Sequence, residues 1–391
     1  MQAEGASDRD RLKVALDATP LLGVRTGVGS FCAGALGGLA VRAELEVTAF
    51  AVSWRRRREL VPLLPPGVGS LQRAMPARPL HLAWAHLPGP PVEWFIGPVD
   101  VVHGTNYVVP PSRRAARVVT VHDLTTVRYP QLCDAHSLEF PRLVRRAVDS
   151  GAFVHTPSQF VAEEVVAEFG IDPGRVRAVH LGIPVHGRGA HDYVDDAGAA
   201  HADCRPDGAG RYVLALGTIE PRKDYPSLVQ AFGILAEKLH DVALVIAGPD
   251  GWGADALEVA LGASRRRDRI VRLGHVPSSR FDCLLAQAAV VAYPSVYEGF
   301  GLVPLEAMAA GVPVVATAAG AIPEVTGNGA LLVPPGDVDA LAEALLKALT
   351  DEAERAALIE RGLHRAGSFT WQECAAGLAD LYAAAYAAAA R

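Results

Sequence analysis

Short apolar runs alternate along the chain with longer stretches whose apolar positions recur at helical spacing. Runs of that kind bounded by Gly, Pro and Asp read as buried strands, and the amphipathic stretches as the helices joining them, so the pattern predicts βα units and parallel sheets. In the first half the predicted strands are 13–16, 47–51, 99–103, 117–121, 153–156 and 177–179. The second half restarts the pattern at 212–216, 243–247, 270–273, 290–293, 313–316 and 330–333. An interrupted and restarted series predicts an α/β protein with two doubly wound sheets in tandem. The stretch 185–210, rich in Gly, Asp, Ala and His without periodicity, reads as linker and hinge. Beyond Phe369, the positions Trp371, Leu378, Leu381, Tyr382 and Tyr386 recur at helical spacing among alanines, which predicts a long terminal helix. The expected organisation is a tail at 1–10, a first domain at 11–184, the linker, a second domain at 211–368 and the helix at 369–391.

With 50% hydrophobic and 20% charged residues, the 391-residue chain has apolar surface enough for two cores, which excludes a disordered or fibrous protein. No apolar run reaches the length of a membrane span. Residues 1–11 are polar and charged, unlike a secretory signal; a cytoplasmic protein is expected. The five cysteines are odd in number and scattered, so neither a disulfide framework nor a zinc site is expected. None of the 13 histidines has metal-site spacing, and no bound metal is expected. Charge is shared unevenly, 21 basic against 17 acidic residues in 1–190 and 16 against 26 in 191–391. The arginine clusters 55–58, 113–114 and 145–146, with Trp54, Trp84 and Trp94, would suit an acceptor at a membrane face; solvated helix faces and buried indoles would explain them equally well.

The most informative stretch runs from Tyr293 to Gly311. It leaves a strand, passes Glu298-Gly299-Phe300-Gly301-Leu302 and enters a helix with Pro304 near its start and Gly311 past its end. Glycines at a helix N-terminus let backbone amides approach a phosphate. Glu306 is expected in the first turn, where a carboxylate can be a cap, whereas Glu298 caps nothing evident. Two acids around such a loop suit a ligand with hydroxyls as well as phosphates. A second constellation, Gly217-Thr218-Ile219-Glu220-Pro221-Arg222-Lys223-Asp224, ends the first strand of the second domain. Arg222 and Lys223 could hold a diphosphate or pair with Glu220 or Asp224, and Asp224 is expected to cap a helix at 225–237. In the first domain, Gly27 and Gly29 open a helix and allow close backbone approach, although Cys32 stands where a dinucleotide fingerprint needs its third glycine. His122-Asp123 follow a strand at its carboxyl end, and His103 ends its own.

In this order the motifs resemble the retaining GT-B glycosyltransferases of family 4: Glu298 and Glu306 with seven residues between, segment 217–224, Thr120-Val121-His122-Asp123-Leu124, and the loop 27–29. The resemblance covers about 11–390, and departs at Asp224, where many relatives carry Asn. It implies two Rossmann-like domains facing a cleft, with the terminal helix crossing back to the first. It also implies that Arg222 and Lys223 hold the donor diphosphate, Glu298 the hydroxyls of the transferred sugar and Glu306 the ribose. Gly217, Gly299 and the amides of Phe300, Gly301 and Leu302 would approach the donor, with its base near His275 and Val276. His122 would line the reaction centre, with Asp123, Gly27 and Gly29 on the acceptor side and Gly29 also near the diphosphate. The catalytic set implied is His122, Glu298, Arg222 and Lys223. The activity implied is metal-independent, cofactor-free transfer of a hexose, mannose from GDP-mannose first and a UDP-sugar as the alternative, to a glycan, lipid-linked or small-molecule hydroxyl. Closure about the linker would exclude water. Peripheral contact with the inner membrane face is expected, and no nucleic acid. A sugar-nucleotide epimerase or a non-catalytic sugar-nucleotide binding module are the rival readings.

Overall fold

The computed structural model describes residues 11–23, 26–135, 137–184, 193–194, 200–201, 204–206 and 210–390. The expected tail, Val24 and Arg25 of the glycine loop, and most of the expected linker lie outside these. The chain divides into two units, Met1–Gly182 with Phe369–Arg391, and Ile183–Ser368.

The first unit carries β1 (Leu12–Asp17), β2 (Leu45–Phe50), β3 (Gly69–Leu71), β4 (Val101–Gly104), β5 (Ala116–Thr120), β6 (Phe153–Thr156) and β7 (Val176–Ala178). They form one sheet in the order β3-β2-β1-β4-β5-β6-β7, parallel throughout. Val14, Ala15 and Leu16 of β1 are fully buried, as a strand covered on both faces requires. The helix Trp371–Ala389 belongs to this unit and lies against the helix Gly27–Ala40. Glycines make that approach: a Cβ at Gly34 would lie 2.1 Å from the Trp371 indole, and one at Gly38 would lie 2.4 Å from the Trp371 carbonyl oxygen.

In the second unit, β8 (Tyr193–Val194) and β9 (Ala200–His201) form a short antiparallel pair. The main sheet holds β10 (Arg211–Leu216), β11 (Val242–Ala247), β12 (Ile270–Gly274), β13 (Val290–Tyr293), β14 (Val314–Thr317) and β15 (Ala330–Val333). It is parallel throughout, in the order β12-β11-β10-β13-β14-β15. Both sheets are therefore doubly wound, and in each the order reverses beside the strand that comes first in sequence, between β1 and β4 and between β10 and β13. That crevice, outside the carboxyl ends of the strands, is where open α/β sheets take ligands.

Three expectations need correction. Strand β3 had no prediction, because three residues at a sheet edge offer no alternation. The stretch read as wholly aperiodic linker carries the β8–β9 pair. Cys204 is joined to Cys283 in a disulfide, with Cα atoms 6.1 Å apart, although sequence spacing gave no sign of it; the pairing arises because the chain near 204 meets the helix Ser278–Gln287.

Candidate active site

Two loops meet at the crevice of the second unit. Because β10 and β13 are neighbours, with Val213 opposite Val290, the turn after Leu216 and the loop after Tyr293 emerge side by side. Pro221–Lys223 form a short 3-10 turn, and Asp224, left-handed at φ 46°, caps the helix Tyr225–Lys238 by accepting from the Ser227 amide at 3.4 Å. The turn thus aims two successive cations at the neighbouring loop. Arg222 Nη1 lies 2.6 Å from Glu298 Oε2, and Lys223 Nζ 2.7 Å from Glu298 Oε1. Lys223 also donates to the Tyr293 hydroxyl at 2.7 Å. Arg222 donates to the Tyr297 carbonyl at 3.1 Å and pairs with Glu220 at 3.4 Å. Lys223 is 9% and Glu298 7% exposed, so this is no solvated surface pair.

The position of Glu298 is fixed from behind. Gly320, at φ +58°, packs so closely that a Cβ would lie 2.2 Å from the Glu298 carbonyl oxygen, and the Ala321 amide donates to that oxygen at 2.8 Å. Thr317 donates to the Ser295 carbonyl. Past Glu298, Gly299 and Phe300 lead to Gly301, whose φ of +120° turns the chain into the helix Leu302–Ala309. Pro304 is the third residue of that helix, so Glu306 falls in its second turn and not the first; it is half-buried. On the other side of the crevice, Gly217 donates to the Ala247 carbonyl at 3.0 Å, and the Gly248 amide to the Gly274 carbonyl at 2.8 Å. These bonds tie the ends of β10, β11 and β12 together. Exposed His275 and half-buried Val276 follow Gly274 at that same carboxyl edge.

The remaining candidates lie in the first unit. Gly27 opens its helix and is exposed, and Gly29 is buried in the first turn. Half-buried His122 follows β5 and is 2.8 Å from the Thr105 carbonyl. Its ring meets Phe31 and Tyr107 edge-on at 5.6 Å and 5.7 Å. A carbonyl only accepts, so Nε2 carries the hydrogen and Nδ1 is the bare nitrogen. Asp123 instead caps a local turn, accepting from the Thr125 amide at 2.9 Å. The sequence candidates therefore form two groups, Arg222, Lys223, Glu298 and their loops in one unit and His122, Asp123, Gly27 and Gly29 in the other.

The profile described as "Glycosyl transferases group 1" matches residues 200–365, and that described as "Glycosyltransferase Family 4" matches residues 27–186. The chain is 32% identical over 290 residues to the O-antigen chain mannosyltransferase B of Escherichia coli, covering 72% of this chain and 74% of that one. This chain belongs to glycosyltransferase family 4. Its two parallel-sheet units have the architecture of sucrose-phosphate synthase from Thermosynechococcus elongatus, at TM-score 0.71 and 23% identity over 97% of this chain and 100% of that one. Anabaena HepE in complex with UDP-glucose matches at TM-score 0.67 and 17% identity, over 95% and 99% of the two chains. The fold is GT-B.

In this family 4 glycosyltransferase, the charges of the second-unit cluster are set by a contest between burial and pairing. Burial pushes the Glu298 carboxyl up, but the Arg222 and Lys223 cations outweigh it and hold it down at about 2. Glu298 is therefore an anion at neutral pH. Burial pulls Lys223 down and Glu298 pulls it back up, with a net lowering. Burial also raises Glu220 and, together with the Glu298 charge, the Tyr293 phenol, which stays neutral. Tyr293, Thr317, Gly320 and Ala321 had not been singled out as site residues. The positive φ of Gly320 marks a position that sequence could have flagged, whereas the contact of Tyr293 with Lys223 spans 70 residues and leaves no local signal.

Behind His122 in the first unit lies a fully buried chain of hydrogen bonds. His155 Nε2 is 3.1 Å from the Val179 carbonyl and must donate to it. His155 Nδ1 then accepts from Thr120 at 2.9 Å, Thr120 accepts from His103 Nε2 at 2.8 Å, and His103 Nδ1 accepts from Tyr382 at 2.7 Å. With both imidazoles neutral, every member of the chain has one role. Burial drives His103 well below the usual 6.5 and His155 down to about 3. A depressed folded-state value means that this stability is complete above the unfolded value of about 6.5 and is lost as pH falls towards 3. At pH 5 the expected loss from His155 is about 2 kcal/mol relative to pH 7.5, and His103 adds a loss of the same sign. Glu298, held at about 2, contributes stability that is complete above its unfolded value of about 4.5 and is lost as pH falls towards 2, so it is still largely present at pH 5. At pH 5, amide protection relative to the intrinsic exchange rate should therefore fall in β4, β5, β6 and the terminal helix before β10 and β13. His155→Gln should flatten the dependence; uniform exchange across both units would contradict the neutral assignment.

Proposed function

We propose that this enzyme transfers mannose from GDP-mannose to an acceptor hydroxyl with retention of configuration, without a metal ion. The observation that carries the reading is the buried Arg222–Glu298–Lys223 cluster at the switch point of the second sheet. It places two cations, a carboxylate and a helix N-terminus together, the groups that a diphosphate joined to a sugar needs. The mannosyltransferase relative favours mannose, and the fold neighbour bound to UDP-glucose makes UDP-sugars the comparison.

In this reading the diphosphate draws Arg222 and Lys223 away from full pairing with Glu298, whose oxygens turn to the sugar hydroxyls. Glu306 takes the ribose, the amides of Phe300, Gly301 and Leu302 face the sugar and phosphate, and the base rests near His275 and Val276. The acceptor oxygen bonds to the anomeric carbon on the face from which the diphosphate oxygen departs, and the acceptor proton passes to that oxygen. Arg222 and Lys223 stabilise the charge that develops there. His122 of the first unit, neutral with Nδ1 bare, is available as a hydrogen-bond acceptor.

The test uses water as the acceptor, because donor hydrolysis needs no partner. GDP-mannose and UDP-glucose are each incubated with the enzyme and with EDTA, and the released sugar is followed by proton NMR before it mutarotates. The α-anomer of mannose should appear first. Initial β-mannose would contradict retention, hydrolysis of UDP-glucose alone would contradict the donor, and abolition by EDTA would contradict metal independence.

A further inference from the structure

Tyr293 is the last residue of β13, buried at the carboxyl edge of the second sheet and paired in register with Ala316 of β14. Its backbone is therefore held by the sheet and not by the loop that follows. The Lys223 ammonium meets this residue in two ways. It donates to the phenolic oxygen at 2.7 Å and lies 4.4 Å from the ring centroid, within the range over which an aromatic ring attracts a cation. The lysine stem is confined as well, since a Cβ at Gly217 would lie 3.5 Å from Lys223 Cε.

An ammonium carries three N–H donors in a tetrahedral arrangement. Two of those on Lys223 are used, one by the Tyr293 hydroxyl and one by Glu298 Oε1, both at 2.7 Å. With two directions fixed the third is fixed too, and among the described residues no group accepts it. The two anchors differ in charge. Glu298 is an anion and offsets the lysine charge, whereas burial and the Glu298 charge keep the Tyr293 phenol neutral. A neutral oxygen holds the ammonium without competing for that charge. Arg222 has holds of its own besides Glu298, on the Tyr297 carbonyl at 3.1 Å and on Glu220 at 3.4 Å.

We infer that Tyr293 is a positioning residue for the transfer: its hydroxyl keeps the Lys223 ammonium in place, with the third N–H towards the diphosphate, when Glu298 turns to the sugar hydroxyls. The inference rests on the donor-site reading above and adds a residue to it. In the free enzyme the carboxylate and the phenol share the ammonium. With the donor bound, the carboxylate is committed to the sugar and the phenol is the anchor that remains. A phenol that only filled the core would be replaced by phenylalanine without consequence, because the ring makes the packing and the hydroxyl makes the bond.

The test is Tyr293→Phe in the full chain, alone and combined with Lys223→Met. Calorimetric GDP affinity and kcat/KM for GDP-mannose hydrolysis are measured side by side, with Tm as the check on folding. Phenylalanine keeps the ring and its contact with the cation, so the fold is retained. GDP carries no sugar and leaves Glu298 on Lys223, so its affinity should fall by about threefold or less. GDP-mannose takes Glu298 away, so kcat/KM should fall roughly tenfold or more. In the Lys223→Met background the same substitution should change neither quantity, because the ammonium it positions is gone. Equal losses in GDP affinity and kcat/KM, or a loss that persists in the Lys223→Met background, would show a merely structural role and overturn the proposal. A parent that binds GDP and hydrolyses GDP-mannose no better than Tyr293→Phe would overturn this inference alone. A parent that does neither would overturn the donor-site reading and this inference with it.

Discussion

Glu298→Gln should reduce turnover by roughly 100-fold or more while leaving the affinity for GDP at least as high as in the parent. The asymmetry follows from what Glu298 touches. Its carboxylate neutralises both Arg222 and Lys223 at 2.6 and 2.7 Å, so removing the charge frees the cations for a diphosphate. The sugar hydroxyls, in contrast, lose the acceptor proposed to orient them. Two buried cations left with less compensation should also lower stability, by about 1–3 kcal/mol, so circular dichroism must accompany the kinetics. Steady-state rates and calorimetric GDP binding check the prediction together. Parallel loss of GDP affinity and turnover would move Glu298 from the sugar to the nucleotide.

Lys223→Met should, unlike Glu298→Gln, weaken GDP roughly tenfold to 100-fold while the fold persists. Methionine fills much of the same volume, and the Arg222–Glu298 pair at 2.6 Å remains to satisfy the carboxylate. Replacing a buried charge by an apolar side chain removes its desolvation cost as well as its attraction, so little net change in stability is expected. The loss should appear in both donor KM and kcat, because a cation on a leaving diphosphate acts in the ground state and more strongly as charge develops. Unchanged GDP affinity would contradict the diphosphate role of Lys223.

The parallel sheets were legible because a strand buried on both faces must be apolar along its length, as Val213–Leu216 of β10 and Val290–Ala292 of β13 are. The start of the helix after the Glu298 loop was legible only to within a turn. Proline is tolerated at several early helical positions, and Pro304 occupies the third, which moves Glu306 into the second turn. Arg222, Lys223 and Glu298 could be singled out as candidates because charge beside glycine at a strand end is unusual. That they bind one another was not legible, since the contact depends on β10 and β13 being adjacent across some 75 residues. Distance in sequence also concealed the buried histidine chain. His103 stood out as a polar strand end, but Tyr382, its partner in the terminal helix, lies 279 residues away. The same limitation applies to Cys204 and Cys283, 79 residues apart, and to buried Trp84 and exposed Trp54 and Trp94, whose apolar character is identical in sequence.

The central claim is that the Arg222–Glu298–Lys223 cluster is a donor site for a nucleoside diphosphate sugar. The most direct measurement is calorimetric titration of the parent enzyme and of Lys223→Met with GDP, UDP and ADP, in the presence of EDTA. The account predicts saturable one-site binding with GDP preferred, unaffected by EDTA and at least tenfold weaker in Lys223→Met. Equal binding by the parent and by Lys223→Met, or no binding of any diphosphate by the parent, would contradict it.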